Sequence, residues 1–67
     1  METKEQIEKE CREIVTVKVF TEYPRGCDYP MMKDFIKKSC NHPLKYYVCW
    51  AMLYGQPYDN IINQIVK

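Results

Sequence analysis

The chain has 67 residues, of which ten are basic and nine acidic, so its formal net charge is +1. Hydrophobic residues occupy 46% of the positions and aromatic residues 13%, which is enough to cover a core and argues against a disordered chain. The length predicts one domain, residues 1–67, and no stretch reaches the roughly 18–20 apolar residues of a membrane-spanning helix. Because the N-terminus is charged where a signal peptide is apolar, we expect a cytoplasmic protein.

The first segment is marked by its charge. Residues 1–13 carry five acids and three bases, whereas the remaining residues have a net charge of +3. Glu8 and Arg12 stand four residues apart, which is the spacing of an ion pair on a helix surface. Thr3 is a candidate N-cap, because its hydroxyl can accept from a free backbone N–H. We predict a short helix over about residues 3–12.

The run from Ile14 to Phe20 is the strongest strand signal in the sequence. It is β-branched or aromatic at most positions, and alternation places Val15, Val17 and Val19 on one face. A strand needs a partner for its backbone hydrogen bonds. Two partners are considered: a short return strand at residues 27–29, or the same strand in a second copy. Pairing with a second copy is favoured, because a return strand of three residues is a weak partner. Such pairing implies a homodimer.

The rest of the chain shows helical periodicity interrupted by proline and glycine. Asp28 is a candidate cap for one helix and Asn41 for the next. Residues 44–54 are apolar nearly all round, which is typical of a helix at the centre of a fold. Gly55 stands where a left-handed residue ends that helix, and Pro57 begins a last helix with an isoleucine stripe.

The sequence therefore predicts an α+β fold that is mainly α, in the order helix, strand, helix, helix, helix. The strand pairs with the short return strand or across a dimer, and the third helix is the hub. The predicted core is Ile14, Val15, Val17, Val19, Phe35, Ile36, Val48, Trp50, Met52, Leu53, Ile61, Ile62 and Ile65.

Cysteine and histidine are the residues best suited to metal or covalent chemistry. Cys27, Cys40, His42 and Cys49 supply the donor types of a structural zinc site, but zinc modules usually present two close pairs of ligands and this sequence has one. Cys27 or Cys40 with His42 would make a nucleophile and base, yet no third orienting group is evident. Phosphate-binding loops need more glycine than the two present. We expect no enzyme activity, no catalytic residue, no cofactor and no metal.

Residues 23–30 form a loop rich in tyrosine and proline. Tyrosine and arginine often anchor protein interfaces, and proline reduces the entropy lost when a loop is fixed. We therefore predict that a partner contacts Tyr23, Arg25 and Tyr29. The lysines that steer the approach to an acidic or nucleic-acid-bearing surface are Lys33, Lys37, Lys38 and Lys45.

These features favour a non-enzymatic protein-binding module, of the kind that phages and mobile elements use as small inhibitors docking on a larger host complex. One alternative is a dimeric DNA-binding regulator, because the strand-then-helix order is similar in topology to ribbon-helix-helix dimers, with Thr16 and Lys18 facing the bases. A further alternative is a zinc-stabilised interaction domain. We expect the partner to be a larger protein or nucleoprotein complex. The lysines are compatible with direct contact to nucleic acid, and we expect no membrane contact.

Overall fold

The computed structural model describes residues 3–66, and this part of the chain contains helices and loops but no strand. None of these helices combines the length and the apolar character that crossing a bilayer requires. The elements in chain order are α1 (Lys4–Glu13), a π-helical segment (Ile14–Lys18), α2 (Val19–Glu22), α3 (Tyr29–Ser39), α4 (Pro43–Tyr54) and α5 (Asp59–Val66). The predicted α+β fold class is therefore wrong.

The first three elements form one continuous helix. The residues at both junctions have right-handed helical backbone angles, so the chain does not turn between α1 and α2. The start is capped as expected at Thr3, whose hydroxyl accepts from Gln6 N–H at 3.2 Å. The Gln6 side chain accepts in return from Thr3 N–H at 2.9 Å, which completes a capping box.

The predicted strand from Ile14 to Phe20 lies inside this helix. Val19 N–H donates to the carbonyl of Ile14, five residues back, as in a π-helix. The Thr16 hydroxyl donates to the Arg12 carbonyl at 2.6 Å, so this β-branched residue is also satisfied locally. A helix supplies its own backbone hydrogen bonds, whereas a strand here had no good partner, and that difference outweighs the β-propensity.

The return strand at residues 27–29 and the strand-paired homodimer are overturned with it. Cys27 lies in a loop, and Tyr29 is the first residue of α3. Asp28 caps α3 as expected, because its carboxylate accepts from Met31 N–H at 3.1 Å. Gly55 ends α4 with a φ of 70°, which also agrees with the sequence.

The core lies between the long first helix, α4 and α5, with α3 against one side. Its buried hydrophobic residues are Ile7, Cys11, Ile14, Val15, Val19, Ile36, Val48, Cys49, Ala51 and Ile62. Two predicted core residues are wrong: Val17 is 62% exposed and Leu53 is exposed as well. Trp50 is only half-buried. Val17 falls on the outer side because a helix places it about 200° from Val15, not on the same face as a strand does.

Val15 and Val17 make a matched test of helix against strand. We expect Val15→Ala to lower the free energy of unfolding by roughly 1–2 kcal/mol, because buried methyl groups are lost. Val17→Ala should change it by less than about 0.5 kcal/mol, because the side chain is largely in solvent. Urea denaturation followed by circular dichroism measures both. Equal losses of stability in the two variants would indicate that Val15 and Val17 lie on the same face, as they do in a strand.

Candidate functional site

Two helices present one shared surface. Tyr29 at the start of α3 contacts Trp50 near the end of α4, so the two helices run in opposite directions. Each helix carries a row of side chains spaced four residues apart, which places each row on one face. The two rows are Tyr29, Lys33 and Lys37 on α3, and Tyr46, Trp50 and Tyr54 on α4.

Trp50 joins the aromatic residues of this surface. Its ring centroid lies 5.4 Å from that of Tyr29 and 5.6 Å from that of Tyr54, which stacks on it with an interplanar angle of 18°. Tyr46 meets the indole edge-on, at 6.2 Å and 75°. Tyr29 and Tyr54 are nevertheless 55% and 67% exposed. We call Tyr29, Tyr46, Trp50 and Tyr54 the aromatic face.

At one end of the aromatic face lies an apolar groove of about 230 Å³. Its apolar lining residues are Tyr29, Met32, Trp50, Leu53 and Tyr54. The Trp50 indole nitrogen is enclosed and has no hydrogen-bond partner in the described part of the chain. Leaving such a donor unsatisfied costs about 1–3 kcal/mol, so this arrangement is not the most stable one available to an indole.

At the other end lies a broad, open cleft of about 730 Å³, which we call the lysine cleft. Its lining includes Lys33, Lys37, Cys40, His42, Tyr46 and Tyr47, and no carboxylate. Within residues 3–66, neither Lys33 nor Lys37 forms an ion pair. Both ammonium groups are therefore available to an anionic partner.

The structure separates the three residues of the predicted loop contact. Tyr29 belongs to the aromatic face, but Tyr23 is half-buried and packs edge-on against Phe35 at 6.0 Å. Arg25 is exposed in the loop before α3, outside both the groove and the cleft lining. Lys38 is also exposed, but it pairs with Asp34 at 3.1 Å.

Lys45 occupies a different environment from the other predicted lysines. It is 2% exposed, and its ammonium donates to Glu10 at 3.1 Å and to the Asn41 side chain at 2.9 Å. It therefore joins α4 to α1 inside the fold, and we leave it out of the proposed contact surface. Asn41 serves this ion pair instead of capping α4, and the cap is His42, whose Nδ1 accepts from Leu44 N–H.

The structure does not bring the four candidate zinc ligands into one site, although the sulfurs of Cys40 and Cys49 lie 3.9 Å apart. Cys27 lines the apolar groove, whereas Cys40 and His42 line the lysine cleft. Across residues 3–66 no three histidine, cysteine or carboxylate side chains are arranged to hold a metal ion. In the same range His42 makes no hydrogen bond with Cys27 or Cys40, so the nucleophile and base considered from the sequence are not hydrogen-bonded to each other.

The apolar pattern of residues 44–54 predicts a helix at the centre of the fold, and that prediction does not include the contribution of four of its residues to a surface: Tyr46, Trp50, Leu53 and Tyr54. The signal that identifies them is the apolar character of α4 around its whole circumference. In a chain this short, few elements remain to cover such a helix on every side.

Comparison with protein-family models, with curated proteins and with solved structures finds no match. The function is therefore inferred from the geometry of this surface.

The Lys45 ion pair has a testable energetic role. We expect Glu10→Gln to lower the free energy of unfolding by roughly 1–3 kcal/mol, because a buried ammonium loses a charged acceptor while the side-chain volume is kept. Glu13→Gln is the control, since Glu13 is exposed on the same helix. Urea denaturation near neutral pH compares the two. Equal stability of the two variants would mean that the pair contributes nothing.

Proposed function

We propose that the chain is a non-enzymatic protein-binding module that docks on a larger protein through the surface shared by α3 and α4. The partner contributes an acidic segment that carries one large apolar side chain. The module acts as a small inhibitor or adaptor, because its docking places a folded domain over the site that it occupies. The observation that carries this proposal is the continuity of the apolar groove and the lysine cleft through the contact between Tyr46 and Trp50.

The apolar groove supports the part of the proposal that concerns the anchor. Tryptophan and tyrosine dominate the binding energy of many interfaces, and three such rings stand together here at centroid distances of 5.4 and 5.6 Å. The groove volume, about 230 Å³, is below the roughly 300–1,000 Å³ of pockets that enclose a small-molecule ligand. Its size suits a single inserted side chain.

The lysine cleft supports the part that concerns charge. Lys33 and Lys37 face a cleft without carboxylates, so the part of an acidic segment that lies in the cleft meets two cations and no like charge. Such complementarity speeds encounter and selects among partners more than it adds affinity. Tyr46 and Tyr47 line the same cleft, with their ring centroids 5.5 Å apart, and supply contact area beside the charges.

A protein partner fits this surface better than a nucleic acid. The sequence pI is about 7.6, below the value of about 9 or more that marks a dedicated nucleic-acid domain. Exposed Asp28 lies at the groove end of the surface and would repel a continuous phosphate backbone. A ribbon-type DNA contact would need a strand, whereas Thr16 and Lys18 lie on a helix.

The test is selection of a random peptide library, free of tryptophan, on the immobilised protein. We expect the enriched peptides to carry acidic residues next to a large apolar residue. Their binding is then followed by the emission of Trp50, the single tryptophan of the chain, which lies in the surface itself. Replacing the apolar residue of a selected peptide by alanine should weaken binding about tenfold or more, as for an interface hot spot.

Variants of the protein locate the contact. Tyr54→Ala should weaken binding about tenfold, and Lys33→Glu with Lys37→Glu should weaken it and flatten its salt dependence. The matched controls are Phe20→Ala and Lys18→Glu. They change an exposed aromatic residue and an exposed lysine that line neither the apolar groove nor the lysine cleft, and both variants should bind as the native chain does. Enrichment of basic peptides, or unchanged binding in Tyr54→Ala, would contradict the proposal. Tighter binding of a single-stranded oligonucleotide than of the selected peptides would make nucleic acid the partner instead.

A further inference from the structure

Three of the four cysteines converge where α1, the end of α3 and α4 meet. The sulfur atoms of Cys40 and Cys49 are 3.9 Å apart. The Cys49 sulfur is also 3.9 Å from the backbone carbonyl oxygen of Cys11. The Cys11 sulfur lies 3.9 Å from the backbone carbonyl oxygen of Lys45. The fourth cysteine, Cys27, stands apart at the apolar groove.

The two sulfurs of the closest pair differ in their access to solvent. Cys40 is half-buried and lines the open lysine cleft, so a small molecule in the cleft can reach it. Cys49 is completely buried, and so is Cys11. An accessible sulfur thus stands directly in front of an enclosed one.

The hydrogen bond between them also distinguishes the two thiols chemically. The hydrogen bond with the Cys49 thiol lowers the pKa of Cys40, against the opposing effects of burial and of Glu10, and Lys45 lowers it further. The pKa of Cys49 is raised, because its thiol is hydrogen-bonded to Cys11 and Cys40 and because its sulfur is buried. The accessible sulfur is therefore the better nucleophile, since the thiolate is the reactive form.

We propose that Cys40 and Cys49 form a peroxide-reactive pair, in which Cys40 is the attacking sulfur and Cys49 the resolving one. The oxidant is hydrogen peroxide or another hydroperoxide that enters through the lysine cleft. This inference depends on the cysteine cluster and not on the proposed function, so it stands whether or not the surface binds a peptide.

The reaction has two steps. The Cys40 thiolate attacks one peroxide oxygen, the O–O bond breaks, and the departing hydroxide takes a proton to become water, which leaves a sulfenic acid on Cys40. The Cys49 sulfur then attacks the Cys40 sulfur, the S–S bond forms and the S–O bond breaks. The departing hydroxide takes the Cys49 proton. Two thiols are oxidised to one disulfide, and one hydrogen peroxide is reduced to two waters.

The backbone around Cys40 can accommodate this closure. A disulfide has its sulfurs about 2.05 Å apart, so the pair must approach by roughly 2 Å. Cys40 has extended backbone angles (φ −93°, ψ 132°) at the end of α3, and the two residues after it form a bend. The shift can therefore be taken up by side-chain rotation and by this short connection, while Cys49 remains fixed within α4.

Digestion with trypsin identifies which cysteines become linked, because its cleavage sites place each cysteine on a different peptide. Cleavage after Lys38 and Lys45 yields residues 39–45 with Cys40 and residues 46–67 with Cys49. The reduced protein is treated with hydrogen peroxide, its free thiols are alkylated under denaturing conditions, and the unreduced digest is analysed by mass spectrometry. We expect the intact chain to lose two hydrogen atoms, peptides 39–45 and 46–67 to be linked, and dithiothreitol to separate them.

Variants separate the roles of the two sulfurs. In Cys49→Ala the Cys40 sulfenic acid should persist and be trapped by dimedone, whereas Cys27→Ser, the control, should form the same link as the native chain. If circular dichroism shows that Cys49→Ala does not fold, Cys40→Ser is used, and its Cys49 should remain fully alkylatable after peroxide. A link that involves Cys27 or joins Cys11 to Cys49, or a free Cys40 under conditions that oxidise Cys27, would overturn the proposal.

Discussion

The structure depends on one constraint, which is that α4 is apolar around its whole circumference while its neighbours cover only part of it. Val48, Cys49 and Ala51 face the core formed with the long first helix and α5. On the other side, Trp50 contacts Tyr29 of α3 and stacks on Tyr54, which is itself 67% exposed. A chain of this size cannot bury every side of such a helix, so aromatic area remains at the surface.

The position of α4 is specified by charge as well as by packing. Lys45 is buried in the first turns of this apolar helix, and its ammonium bonds to Glu10 on α1 and to Asn41. A buried ion pair adds little net stability but is costly to break, so it disfavours other placements of the helix. The acidic first helix thereby fixes which face of α4 turns inward, and so which face forms the binding surface.

Much of the helical part of the fold follows from local signals in the sequence. Thr3, Asp28 and Gly55 are caps and stops in the structure as their chemistry predicts. The strand prediction was wrong because it depended on the β-propensity of branched residues, whereas the need to satisfy backbone hydrogen bonds favours a helix in this segment. Val15 and Val19 are buried in either structure, so their burial could be predicted, and only Val17 distinguishes a strand from a helix.

The candidate site was only partly predictable. Tyr29, Lys33 and Lys37 were identified from residue type, because interface residues and exposed charges are visible in the sequence. The burial of Lys45 and the meeting of Cys11, Cys40 and Cys49 depend on contacts between distant segments, which no local pattern encodes. The role of Trp50 was misjudged for a related reason: hydrophobicity indicates that a residue avoids water, not which partner it meets.

The central claim, that the aromatic face is open in the free protein, is tested most directly by hydroxyl-radical footprinting with mass spectrometry. The account predicts rapid modification of Tyr54 and Leu53, and protection of Val48 and Ile62 in the core. Protection of Tyr54 and Leu53 to the same degree as Val48, in the monomer at low concentration, would mean that the fold covers this face itself. The surface would then not be free to bind a partner.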